Sequence, residues 1–433
     1  MANNPVVNMF KVKELRSKLL FTLLILAVFR LGSVLTIPGI NATLLLQYFD
    51  NLASGAESAF ASYMDFFAGG AFERFSVFML GVMPYISTQI IMQLALVIFP
   101  SLKRIAQEEG GQQKVQGWTR VGTIIVCLIQ SMAITVYADS INQQIPGAII
   151  FDNKVYFNLL AILTVTTGSM ITVWMGNQIT ARGIGNGISM IIMAGILMTL
   201  PNTFVQAYQI FMEGATVAGI IKFVVYILLY IFIVLAVVFE ENAERRVPIQ
   251  YANKSTAVGG KQSYIPFRLN SAGVIPVIFA SALLQMPAFI AQFFKVEKIT
   301  TFTEKWLSTT SPTGFILYIL LIFGFSYFYT YAQLKPKDMA ENLQKNGGYI
   351  PGVRPGEATI TYIKNVINHI TFVGAALLAL LAALPTIFVW ITGLSSSIAL
   401  GGTGLLIVVG VALETYKQLE SLILSRNYTK GRR

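Results

Sequence analysis

Apolar residues fall in long runs separated by short polar stretches. A helix needs about 20 mostly apolar residues to cross the hydrocarbon core of a bilayer. Ten stretches qualify: Leu19–Ile37, Phe75–Phe99, Val121–Tyr137, Val155–Met175, Ile184–Leu200, Val217–Phe239, Ala272–Phe294, Gly314–Leu334, Ile370–Val389 and Ile398–Leu413. The fifth and tenth are short and interrupted by glycine. The segments between spans are mostly brief, with three exceptions: Asn41–Arg74, Glu240–Arg268 and Lys335–Lys364.

Composition agrees with lipid-facing helices. Of the 433 residues 55% are hydrophobic and 12% charged, against about 25% charged in a soluble protein. Mean hydropathy is +0.65. So little charge cannot cover soluble cores, and it excludes disordered, collagen-like and nucleic-acid-binding classes despite a net charge of +11. The first apolar run is too long for a signal core and reads as a span rather than a cleavable leader. The single cysteine, Cys127, allows no internal disulfide and reads as a small packed hydrophobe. One histidine, His369, leaves little scope for a metal cluster or a histidine-based catalytic pair.

The basic residues set the orientation. With ten spans both termini share a side, and 24 of the 31 Lys and Arg residues fall there, with 6 on the other side and Arg30 inside the first span. The positive-inside rule makes the richer side cytoplasmic. Arg30 lies in the outer third of its helix and is expected to snorkel.

The two long cytoplasmic loops exceed what topological retention requires. Their strings ENAERRVP and NGGYIPGVRPGE read as turns holding structured protrusions that dock a partner. On the outer side, SYMDFFAGGAFERFS places Tyr63, Phe66 and Phe67 on one side of a short helix that Gly69 and Gly70 break. Too short to span, it either lies on the membrane surface or folds back into a cavity among the helices. The strings GVMPYIS (Gly81–Ser87) and GVIPVIFAS (Gly273–Ser281) recur in the second span of each half. That recurrence suggests an inverted repeat of five plus five spans, with each proline permitting a kink.

The middles of the spans are almost free of ionizable side chains, unlike those of pumps and secondary transporters. Their polar residues are neutral: Ser87, Thr88, Gln89, Gln93, Gln130, Ser131 and Gln285. These suit interhelical hydrogen bonds or the lining of a wet path. The sequence has no phosphate loop, metal spacing or nucleophile–base pair, so no catalysis is expected. A secondary transporter for a small solute is the alternative reading, and a membrane scaffold without a conduit a weaker one.

The strings FMLGVMPYISTQIIMQL, RGIGNGISMIIMAGI, NSAGVIPVIFAS, YIPGVRPGE and GGTGLLIVVGV closely resemble the SecY family, channel subunits of the bacterial Sec protein translocase, over essentially the whole chain. The resemblance implies an all-α integral membrane protein of ten transmembrane helices in two pseudo-symmetric five-helix halves. The divisions are a cytoplasmic N-terminal segment (1–18), a first half (19–200) with an outer plug segment (55–73), a second half (201–413) with loops 240–268 and 335–368, and a cytoplasmic tail (414–433). It implies a bacterial plasma-membrane channel that passes unfolded secretory polypeptides. Hydrophobic segments would leave sideways into lipid by a clamshell opening between the second and third helices on one side and the seventh and eighth on the other.

Carried over by motif, the pore ring is Val82, Ile86, Ile192, Ile196, Ile278 and Ile407, with Val82 departing by one methylene from the family's isoleucine. The plug is Tyr63, Met64, Asp65, Phe66, Phe67, Ala68, Gly69 and Gly70. Ser87, Gln93, Gln130 and Gln285 would lie at the lateral gate. Arg245, Arg246 and Arg354 would meet the SecA motor or the ribosome. The resemblance further implies the small subunits SecE and SecG, a translocating chain with its signal sequence, membrane lipid, and no cofactor.

Overall fold

The computed structural model describes residues 13–51, 56–212, 217–251, 263–294, 301–309, 311–393 and 396–430. Helices dominate. They are α1 (Lys13–Val34), α2 (Ala42–Asn51), α3 (Ala56–Ala68), α4 (Met83–Ile98), α5 (Pro100–Gln107), α6 (Gly111–Gln144), α7 (Lys154–Arg182), α8 (Gly187–Met212) and α9 (Val217–Asn242). After strands β1 (Glu244–Tyr251) and β2 (Ser263–Arg268) come α10 (Ile275–Phe294), α11 (Pro312–Gln333), α12 (Pro336–Lys345), β3 (Gly348–Tyr349), α13 (Glu357–Thr392) and α14 (Ser396–Lys430).

Each of the ten predicted stretches is occupied by a helix. Among the described residues seven helices are long and apolar enough to cross a membrane, or eight when α4 and α5 count together. Their outer faces are apolar yet uncovered: Ile221, Leu228 and Leu235 of α9 are each about 60% exposed. In water such a face would be costly, at about 25 cal/mol per Å². In lipid it is at home.

The second span departs most from expectation. Helix begins at Met83 rather than Phe75, because Phe75 (φ 45°) and Gly81 (φ 52°) sit in left-handed backbone that interrupts the run. The helix then ends at Phe99, which is extended (φ −105°, ψ 102°) ahead of Pro100, as proline requires of its predecessor. The chain turns through 103° into α5. The two motif prolines do not kink helices. Pro84 and Pro276 each occupy the second helical position, where the missing N–H has no intrahelical partner to lose. Gly81 and Gly273 match as well, with φ of 52° and 61°, so the two strings share one local structure.

The long loops form a sheet of order β2-β1-β3. β1 pairs antiparallel with β2 from Glu244↔Arg268 to Ile249↔Ser263. The second loop adds β3 through Gln250↔Tyr349 and Tyr251↔Gly348. Beneath them Val247, Ile249, Phe267, Ala340, Leu343, Ile350, Ile363 and Ile367 make a core separate from that of the bundle. Lys417 of α14 ties this end to α9, donating to the Glu241 carbonyl and lying 3.4 Å from its carboxylate.

Candidate functional site: an apolar waist between two cavities

The six predicted ring residues are all buried, at 3% exposure or less, within one cluster of the bundle core. They come from the loop before α4 (Val82), α4 (Ile86), α8 (Ile192, Ile196), α10 (Ile278) and α14 (Ile407). Ile86, Ile192 and Ile278 all line one cavity of about 80 Å³, together with Tyr85, Gln89, Asn186, Ser189 and Tyr329. One turn further along α8 the lining changes. Thr199, Asn202, Thr203 and Gln206 face a second cavity, of about 100 Å³, with Ser62, Asp65, Phe66 and Glu73. On α8, Ile192 thus lines the first hollow, and Ile196 lies in sequence between it and the polar residues that line the second.

The short helix α3 lines the second of them through Ser62, Asp65 and Phe66. It folds back into the bundle and packs on α8 and α14. Rather than carrying an apolar stripe, it is buried all round from Tyr63 to Gly69. Phe67 lies against Tyr63 and Phe66, with ring centroids 5.1 Å away in both cases. The helix ends in left-handed glycines, Gly69 (φ 68°) and Gly70 (φ 79°), whose amides donate to the Asp65 carbonyl at 2.7 and 3.2 Å. This is the usual glycine C-terminus. Asp65 Oδ1 also accepts from the amides of Phe72 (2.9 Å) and Glu73 (3.3 Å), which turns the chain back toward α4.

Contact at the end of α3 is close enough to demand glycine. A methyl on Gly69 would stand 2.8 Å from the Gly195 Cα, and one on Gly195 would stand 3.1 Å from the Phe67 carbonyl oxygen. Gly195 precedes the ring residue Ile196, and Gly81, which would meet the same carbonyl at 3.7 Å, precedes Val82. From α14, a methyl on Gly404 would strike Phe66 and Ile196. The end of α3 therefore abuts the ring directly. Sequence reasoning missed this glycine pair, although a glycine between two ring isoleucines in SMIIMAGI was a signal for close backbone approach.

Of the four polar residues at the expected gate, Ser87, Gln130 and Gln285 come together with Met64 and Met83 around a cavity of about 20 Å³. Gln93 lies apart, beside Tyr329 of α11. The Oε1 atoms of Gln93 and Gln130 are buried with no hydrogen-bond partner among the described residues. The arginines are far from this. Arg245, Arg246 and Arg354 are exposed, Arg246 lying 4.9 Å over the Tyr264 ring and 2.6 Å from Glu244.

A multi-span bundle whose core gathers aliphatic side chains from α4, α8, α10 and α14 beside a short, buried helix suits a channel. The family model for SecY matches residues 76–416. The protein translocase subunit SecY of Halalkalibacterium halodurans is 42% identical over 432 residues, 98% of each chain. A SecY structure described as showing that the plug domain stabilizes the closed channel superposes with a TM-score of 0.62 at 22% identity, covering 94% of this chain and 92% of that one. Sec61 from a canine ribosome-channel complex gives 0.60 at 20% identity, covering 94% and 92%. The chain belongs to the SecY family. It is a polypeptide-conducting, non-catalytic subunit of the Sec translocase and a multi-pass membrane protein.

Proposed function

We propose that unfolded secretory chains thread the waist formed by Val82, Ile86, Ile192, Ile196, Ile278 and Ile407, and that α3, with Tyr63 to Gly70, plugs it at rest. The observation that carries this reading is the convergence of Ile86, Ile192 and Ile278 on one hollow, with Gly69 at the end of α3 packed against Gly195, the neighbour of Ile196. Arbitrary sequences cannot be passed through specific hydrogen bonds, which would hold some segments and reject others. Aliphatic side chains give weak, non-directional contact, and when closed a narrow apolar constriction dewets and excludes ions.

Sideways release then follows as a partition between a wet pore and lipid. A segment leaves when its apolar surface gains roughly 25 cal/mol per Å². The seam between α4 and α6 on one side and α10 and α11 on the other is the proposed exit, with Ser87, Gln93, Gln130 and Gln285 as its polar contacts. The ten helices form two five-helix halves, a reading supported by the shared local structure of the Gly81 and Gly273 motifs. Both termini and the three-stranded sheet are cytoplasmic.

Arg245, Arg246 and Arg354 would receive SecA or the ribosome. A ribosome accompanies the canine relative, and SecE and SecG complete the assembly in the bacterial membrane. In proteoliposomes holding the assembled translocase, motor and ATP should render a secretory precursor protease-resistant. Flux of a small solute without motor or ribosome, and no precursor protection, would contradict the proposal.

A further inference from the structure

Arg30 of α1 was expected to snorkel toward the membrane surface. It turns inward instead. Its Nη1 donates to the Gly69 carbonyl at 2.9 Å and to Ser33 Oγ at 3.3 Å, while Ser33 Oγ donates back to the Arg30 carbonyl at 2.8 Å. The acceptor is the first residue beyond α3, so a fixed cation stands at the negative end of that short helix. Gly69 is also the residue in closest approach to Gly195 beside the ring. We propose that Arg30 is the positioning residue that latches α3 in its seat, an inference that rests on the plug reading above.

The reasoning is electrostatic and geometric. Arg30 is half-buried and is the one charged residue of α1 between Leu19 and Val34, where an unpartnered guanidinium is costly. Ser33 alone satisfies one of its five donors. The carbonyl of Gly69 is within reach only while α3 is seated, so withdrawal of α3 leaves the cation poorly partnered. Arg30 thereby adds to the free energy of opening without touching the polypeptide path. The rest of its surroundings keep it aimed. Phe29, its neighbour, stacks on Phe78 with centroids 5.9 Å apart. The chain past α1 is also pinned to the segment after α3 by Ile37 N to Phe75 O at 2.9 Å and Val77 N to Leu35 O at 2.8 Å.

The test uses the full chain in its translocase, with Cys127→Ala removing the native thiol and Met64→Cys, at a position now 4% exposed, reporting on α3. Spheroplasts are treated with a membrane-impermeant maleimide from outside, and ion leak is recorded in parallel. Arg30→Ala should accelerate labelling about tenfold, the loss expected of one charge-assisted hydrogen bond, and raise the leak. Arg30→Lys, keeping the cation and a donor, should restore slow labelling. Labelling of Arg30→Ala at the parent rate, or of Arg30→Lys as fast as Arg30→Ala, would overturn the latch. Faster labelling without leak would keep the latch and reject α3 as the plug. Should Arg30→Ala fail to accumulate, Arg30→Gln is read the same way, with labelling between parent and tenfold expected and parent-rate labelling overturning the proposal.

Discussion

The waist and the sheet are built on opposite terms. At the waist, aliphatic side chains from four helices and a loop are buried together and offer no hydrogen bond. At the sheet, three arginines stand in solvent near a small apolar core that the loops share with the start of α13. The difference separates two kinds of sensitivity. On the proposed reading, a change at the waist should alter the balance between closed and open bundle, and a change among the arginines should alter what can dock and leave the bundle as it was.

The sharpest way to break that contrast is to make the waist polar. Ile86→Asn and Ile278→Asn each remove a buried aliphatic and leave an amide without a partner, at about 1–3 kcal/mol for the unpaired group alone. Each variant should raise the ion leak of proteoliposomes by about tenfold or more, and unchanged conductance in both would remove these residues from the ring. Next in size is Arg354→Glu. Motor- or ribosome-dependent transport should fall several-fold while resting leak and thermal stability stay at the parent level. Normal partner binding by this variant would exclude Arg354 from the docking surface.

The smallest effect concerns acidity at the outer hollow. Burial, and then the neighbouring Glu73 carboxylate, push the Asp65 carboxyl up to about 7, opposed by its bonds to the Phe72 and Glu73 amides. The neighbouring lining from α8 (Thr199, Asn202, Thr203 and Gln206) is neutral. A raised carboxyl favours the seated helix in its protonated form. Seating should be strongest below the ordinary carboxylate range and weaken, by at most about tenfold per pH unit, as pH rises through about 7. Leak should therefore be greater at pH 8.5 than at 5.5. Asp65→Asn, which keeps the acceptor for both amides, should flatten that dependence, and a slope like the parent's would place the titrating group elsewhere.

The sequence made the helices legible because an apolar helix announces itself by length and hydropathy: all ten stretches hold a helix, and among the described residues seven or eight of these are long and apolar enough to span. It did not make the ring legible. Val82 or Ile278 taken alone is indistinguishable from a packed or lipid-facing residue, and resemblance to the SecY strings, not periodicity, singled them out. Arg30 misled because snorkelling is a local rule, whereas its acceptor is 39 residues away. The start of the second span was misread because Phe75, an apolar residue in an apolar run, adopts φ 45° for reasons that reside in its bonds to Ile37 and Phe72. The joining of the two loops was invisible too, since β3 is two residues long and its partner lies about 100 positions earlier.

The most direct test of the waist places a photoreactive side chain at position 278 and, separately, at lipid-facing position 228, with a secretory chain stalled in transit. Crosslinks to the chain should form from 278 and not from 228. A stalled chain that never reaches 278 would contradict threading through the waist.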